Sequence, residues 1–124
     1  MPTRKPVVLV VDDNPTVAKT LAWVLEQSGY LTALAYSGKD AMEMLSGIST
    51  DVAVVDVMLP DVDGIKVAVE VCKRSPHCKI LLISGYPESA RLIERMKADG
   101  MNFEVLAKPI QPPDLLGSIA RLLS

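Results

Sequence analysis

Basic excess, histidine, cysteine and long apolar runs are all scarce in this chain of 124 residues, and each scarcity removes a class of function. Thirteen Lys and Arg against fifteen Asp and Glu leave a formal net charge of -2. That balance supplies no basic face to track a phosphate backbone, and the single basic cluster, Arg4-Lys5, is too small to change it. Direct nucleic-acid binding is therefore not expected. No apolar run approaches the roughly 20 residues of a membrane span. The N-terminus runs through Pro2, Arg4, Lys5 and Pro6 into Val7 to Val11 and then two aspartates, which is not a signal-peptide core. A cytoplasmic protein without a membrane partner is the expectation. Cys72 and Cys78 form no CxxC pair. With His77 they offer three ligands where a structural zinc site takes four, so they read as structural or surface thiols.

What is present is a globular balance, 49% apolar and 23% charged, in a length suited to one domain, expected to span residues 1–124. Strand and helix patterns alternate five times. Val7 to Val11 is an unbroken β-branched run, the mark of a strand buried on both faces. Asp12-Asp13-Asn14-Pro15 then turns the chain, with Pro15 placed for a first helical position. From Pro15 to Ser28 the apolar set Val17, Leu21, Val24 and Leu25 recurs on one helical face, off which Trp23 falls, and Gly29 stops the helix. A second strand covers Leu31 to Tyr36, and Ser37 with Asp40 has the spacing of a capping box. Ala41, Leu45 and Ile48 give that second helix its buried side.

The stretch around which the chain is organised comes next. Val52 to Val55 is apolar, ends on Asp56, and is followed by Val57-Met58-Leu59-Pro60. The third helix places Ile65, Ala68, Val69 and Cys72 on one face, which makes Cys72 a small core residue. Lys79 to Ile83 forms a fourth strand ending at Ser84-Gly85-Tyr86-Pro87. The helix from Glu88 to Ala98 is short and charged, with only Leu92, Ile93 and Met96 to bury, and should be the least firmly held. Phe103 to Ala107 makes a fifth strand ending at Lys108-Pro109. A last helix begins at Pro112-Pro113-Asp114 and turns Leu115, Leu116, Ile119, Leu122 and Leu123 to the sheet. This alternation predicts an α/β fold with a parallel five-stranded sheet and helices on both faces.

In such a sheet all strand ends share one rim, where α/β folds bind ligands. The rim collects Asp12, Asp13, Asp56, Ser84 and Lys108. Neighbouring carboxylates repel unless a cation intervenes, and hard oxygen donors suit Mg²⁺ or Mn²⁺. With the metal, the Lys108 ammonium and the Ser84 hydroxyl around it, one carboxylate is equipped to attack a phosphoryl group.

Four motifs carry a resemblance at this point: Val10-Val11-Asp12-Asp13-Asn14-Pro15, Val55-Asp56-Val57-Met58-Leu59-Pro60-Asp61-Val62-Asp63-Gly64, Ile83-Ser84-Gly85 and Lys108-Pro109. The chain resembles, end to end, the receiver domain of two-component response regulators. The resemblance implies a flavodoxin-like (βα)5 three-layer sandwich with strand order 2-1-3-4-5. It implies that Asp56 accepts phosphate from the histidine of a sensor kinase or phosphotransfer protein. By the same resemblance Asp13, Asp56 and the Met58 backbone carbonyl hold Mg²⁺, Asp12 acts mainly through a water, and Ser84 and Lys108 hold the phosphoryl oxygens. It also implies a cis Lys108-Pro109 bond and an output partner docking on the face of the fourth helix, fifth strand and fifth helix.

The match departs from the family at Val105, three residues before Lys108, where an aromatic residue is usual. Phe103 lies on the same strand face but displaced, so switching is expected to run through the Gly85-Tyr86 loop and the helix after it. Met58 and Tyr86 occupy rate-tuning positions. Both are bulky, and they are expected to restrict attacking water. Three rival readings are weaker. A haloacid-dehalogenase-type phosphatase expects an aspartate where Met58 stands. A flavin-binding flavodoxin would want a Ser/Thr/Gly-rich phosphate loop where Asp12-Asp13 repel phosphate. A partner-binding pseudo-receiver would usually have lost one of the site residues. Self-phosphorylation and self-dephosphorylation, and no other enzymatic activity, are expected.

Overall fold

A computed structural model describes residues 4–85, 87 and 89–124. Ten elements alternate: β1 (Val7–Val11), α1 (Pro15–Gln27), β2 (Leu31–Ala35), α2 (Gly38–Leu45), β3 (Val52–Asp56), α3 (Gly64–Arg74), β4 (Lys79–Ser84), α4 (Ala90–Ala98), β5 (Glu104–Ala107) and α5 (Pro112–Leu123). The strands form one parallel sheet in the order β2-β1-β3-β4-β5. The flavodoxin-like topology expected from the resemblance is the one found.

Strand alternation divides the core cleanly. Leu9, Val11, Ala53, Val55, Ile80 and Leu82 face α2, α3 and α4, while Val8, Val10, Val52, Val54, Leu81 and Ile83 face α1 and α5. Every residue of β3 is buried, as a central strand covered on both faces requires. Asn14 caps α1, its Oδ1 accepting the Thr16 and Val17 N–H groups at 3.0 and 3.2 Å, with Pro15 at the first helical position. Gly29 closes α1 at φ +94°, a conformation that only glycine adopts without strain.

Several expectations shift in detail. Ile48 lies beyond the end of α2. In α3 the fully buried residues include Val67 and Val71, while Val69 and Cys72 are half-buried at the edge. Alanines 18 and 22 are buried in α1 beside Leu21 and Leu25, and Val17 and Val24 are only partly covered. Trp23 is 62% exposed. α4 begins at Ala90 and fully buries only Met96; the expected start at Glu88 lies outside the described residues. No helix among the described residues is long and apolar enough to cross a membrane.

The base of the sheet is tied by Asp51. Its carboxylate accepts the Arg4 fork at 2.9 and 3.0 Å and the Val7 N–H at 2.7 Å. Burial works against the charge, but the guanidinium and the N–H outweigh it and hold the carboxyl below its ordinary value of 3.8. A depressed carboxyl stabilises the fold above its unfolded pKa and loses that contribution as pH falls through the folded one. Asp51→Asn is therefore expected to cost on the order of 1 kcal/mol at neutral pH. Denaturant titrations of both proteins should converge as pH drops below 3.8.

Candidate functional site

Register brings the rim residues together. Val11 pairs with Val55, which sets Asp12 beside Asp56, and Asp56 pairs with Ile83, one residue before Ser84. Ser84 pairs with Ala107, so Lys108 leaves β5 at the same level, its N–H donating to the Ser84 carbonyl at 2.8 Å. The Lys108-Pro109 bond is cis, as expected.

The Lys108 ammonium lies 2.9 Å from Asp56 Oδ2 and 2.9 Å from Asp12 Oδ2. Asp56 Oδ1 accepts the Met58 N–H at 3.0 Å, and Asp12 Oδ1 accepts the Asn14 N–H at 3.0 Å. Burial raises the Asp56 pKa above the ordinary carboxylate value and the Asp12 charge adds to it, while Lys108 and the Met58 N–H oppose the rise. For Lys108 burial disfavours the ammonium, but the contacts to Asp56 and Asp12 prevail and its pKa goes up. The result is a carboxylate pair clamped by one cation.

Asp13, exposed, completes the acidic group: Asp12, Asp13 and Asp56 each bring a carboxylate oxygen within 4.8 Å of the others. Three carboxylates and one ammonium leave two negative charges, which a divalent cation neutralises. Asp12 Oδ2 is buried with the Lys108 ammonium 2.9 Å away, and a carboxylate oxygen with one cation beside it keeps a lone pair for another. Carboxylate oxygens with an open side at Asp13 suit a hard cation that keeps several waters. The donor set fits Mg²⁺. Cys72, His77 and Cys78 form no comparable group among the described residues. Burial pushes the Cys78 thiol up to about 12, so neither redox nor metal chemistry is favoured there.

Of the other positions, Met58 is 44% exposed beside the site. Phe103 and Val105 pack into the same core cluster, as their spacing predicts, and Tyr86 lies outside the described residues. Three residues acquire roles that no sequence signal gave them. A Cβ on Gly64 would overlap the Asp56 backbone carbonyl. Asp61 accepts the Gly38 and Lys39 N–H groups, each at 2.9 Å, anchoring the loop after Asp56 to the start of α2. Ser89 hydrogen-bonds the Ser84 hydroxyl.

Known proteins resemble this chain in sequence and in fold. The family profile for the response regulator receiver domain matches residues 8–120. The chemotaxis protein CheY of Thermotoga maritima is 29% identical over 93% of this chain and 95% of its own length. The response regulator MprA of Mycobacterium ulcerans is 30% identical over 94% of this chain, which spans only 49% of that regulator. A CheY-like receiver domain structure from Methanospirillum hungatei superposes with a TM-score of 0.84 at 25% identity, covering 96% of this chain and 94% of the other.

Proposed function

Since this chain belongs to the response regulator receiver domain family, we propose that it is a phosphoryl-accepting signalling switch whose acceptor is Asp56. The observation that carries the reading is the shared Lys108 ammonium, 2.9 Å from both Asp56 and Asp12 at the meeting of three strand ends. Residues 1–124 act as one receiver domain, and the donor is the phosphohistidine of a sensor kinase or phosphotransfer protein.

In the transfer, an Asp56 carboxylate oxygen forms a bond to phosphorus as the phosphorus–nitrogen bond of the donor breaks, and the departing imidazole takes a proton from solvent. Asp56 surrenders its negative charge to the acyl linkage while charge gathers on the phosphoryl oxygens. Lys108 loses its partner on Asp56 and finds a new one there, with the Ser84 hydroxyl as a second donor. The Met58 N–H holds the carboxylate oriented for attack. Asp12, Asp13, Asp56 and the Met58 carbonyl would hold Mg²⁺, which supplies the neutralising charge that lets two anions approach. Attachment replaces the single charge of the carboxylate with the nearly two charges of the phosphoryl group, a net gain of about one negative charge at the rim. The altered charge biases partner binding, with the α4, β5 and α5 face as the surface for the output partner.

Incubation with a small acyl phosphate and Mg²⁺, read by intact mass, tests the reading. One phosphoryl group should be gained, and lost on Asp56→Asn or on metal chelation; equal uptake by Asp56→Asn refutes it. Met58 is proposed to screen the acyl phosphate from water, so Met58→Ala should lose phosphate several-fold faster. An unchanged or slower loss removes that role.

A further inference from the structure

We propose that Ser89 is the positioning residue through which Ser84 couples phosphoryl binding to the first turn of α4. The inference rests on the preceding reading, in which Ser84 donates to a phosphoryl oxygen.

Two hydroxyl groups at this point share two protons. Ser84 ends β4 with its side chain buried, and its Oγ is hydrogen-bonded to the Oγ of Ser89, which is fully buried. Ser89 Oγ also lies 3.2 Å from the Gly85 carbonyl oxygen, which can only accept. Each hydroxyl has one proton. Ser89 gives its proton to Gly85, so Ser84 must give its own to Ser89, and none remains for a phosphoryl oxygen. A phosphoryl oxygen is itself an acceptor. For Ser84 to donate to it, either the Ser84–Ser89 bond breaks, or Ser89 withdraws from Gly85 and donates to Ser84 instead. Both routes rearrange a buried hydrogen bond at the N-terminus of α4.

That helix is built to register the change. Ser89 is its N-cap residue, with φ -95° and ψ -2°, and its side chain makes no capping bond. A freed Ser89 oxygen is of the type that accepts the N–H groups of a first helical turn. The Ser89 N–H also reaches the Gly85 carbonyl at 3.4 Å, so the Ser89 backbone and side chain converge on one acceptor. With Met96 its only fully buried side chain, α4 has little core contact to resist a shift at its start.

The experiment follows amide hydrogen exchange of the peptide spanning Ala90–Ala98 in the full chain, with and without phosphorylation by a small acyl phosphate and Mg²⁺. Wild type should show a phosphorylation-dependent difference. Ser89→Ala should still take up phosphate by intact mass but lose that difference, and Ser89→Thr, which keeps the hydroxyl, should restore it. A wild-type difference retained by phosphorylated Ser89→Ala overturns the proposal, as does a wild type that is phosphorylated without any difference. Absence of uptake by wild type instead overturns the acceptor reading and this inference with it. Should Ser89→Ala lose its native circular dichroism, Ser89→Cys carries the comparison: its weakly donating thiol should shrink the difference, and an undiminished one counts against the coupling.

Discussion

Lys108→Met should slow phosphoryl uptake from a small acyl phosphate by about 10²–10³-fold, the loss that follows removal of one preorganised charge stabiliser. The same substitution leaves the Asp56 and Asp12 carboxylates, both buried, without the cation 2.9 Å from each. Breaking a buried pair by deleting one partner costs roughly 3–5 kcal/mol. Lys108 is 26% exposed, and water there reduces the expected cost to about 2 kcal/mol. The two effects separate on adding Mg²⁺. A site stripped of its ammonium holds three carboxylates uncompensated, so the metal should raise the melting temperature of Lys108→Met more than that of wild type. Uptake at the wild-type rate would show that the ammonium only fills space.

Gly64→Ala should be the most damaging change of a single methyl group in the chain, costing about 3 kcal/mol. Gly64 opens α3, and its N–H donates to the Val57 carbonyl at 2.8 Å. The Cβ of alanine would overlap the Asp56 carbonyl and crowd the Val57 Cα. Backbone on both sides leaves no flexible side chain to yield. Relief must come from moving Asp56 itself, so stability and phosphoryl uptake should fall together, with a melting temperature lower by roughly 10 °C. Gly85→Ala is the control: among the described residues its Cβ would meet nothing within 4 Å. Its stability should stay within about 0.5 kcal/mol of wild type. Equal stability of the two variants would mean that the loop after Asp56 has freedom these contacts deny it.

The sheet was legible because β-branched runs such as Val7 to Val11 and Val52 to Val55 suit only strands covered on both faces, and each ends on a chemically distinctive residue. Asp12, Asp56, Ser84 and Lys108 can be gathered from the sequence alone, since parallel strands put their ends on one rim. α3 is less legible. A single stripe pointed to Val69 and Cys72, but Val67 is buried. The reason lies at α2: a Cβ on buried Gly38 would meet Val62 and come within 3.1 Å of Val67. A helix with two neighbours buries two stripes, and periodicity toward the sheet reports only one. α1 has the complementary problem, since Ala18 and Ala22 are too small to mark the face they occupy. Gly64, Asp61 and Ser89 stayed hidden because their roles depend on contacts between loops and helix ends. No spacing rule encodes those contacts.

Borohydride trapping tests the central claim most directly. Hydride reduces an aspartyl acyl phosphate to homoserine, which peptide mass spectrometry assigns to one position. After incubation with a small acyl phosphate and Mg²⁺, homoserine should appear at position 56 alone and disappear when the metal is chelated. Homoserine at position 12 or 13, or none anywhere despite native folding, would contradict the account.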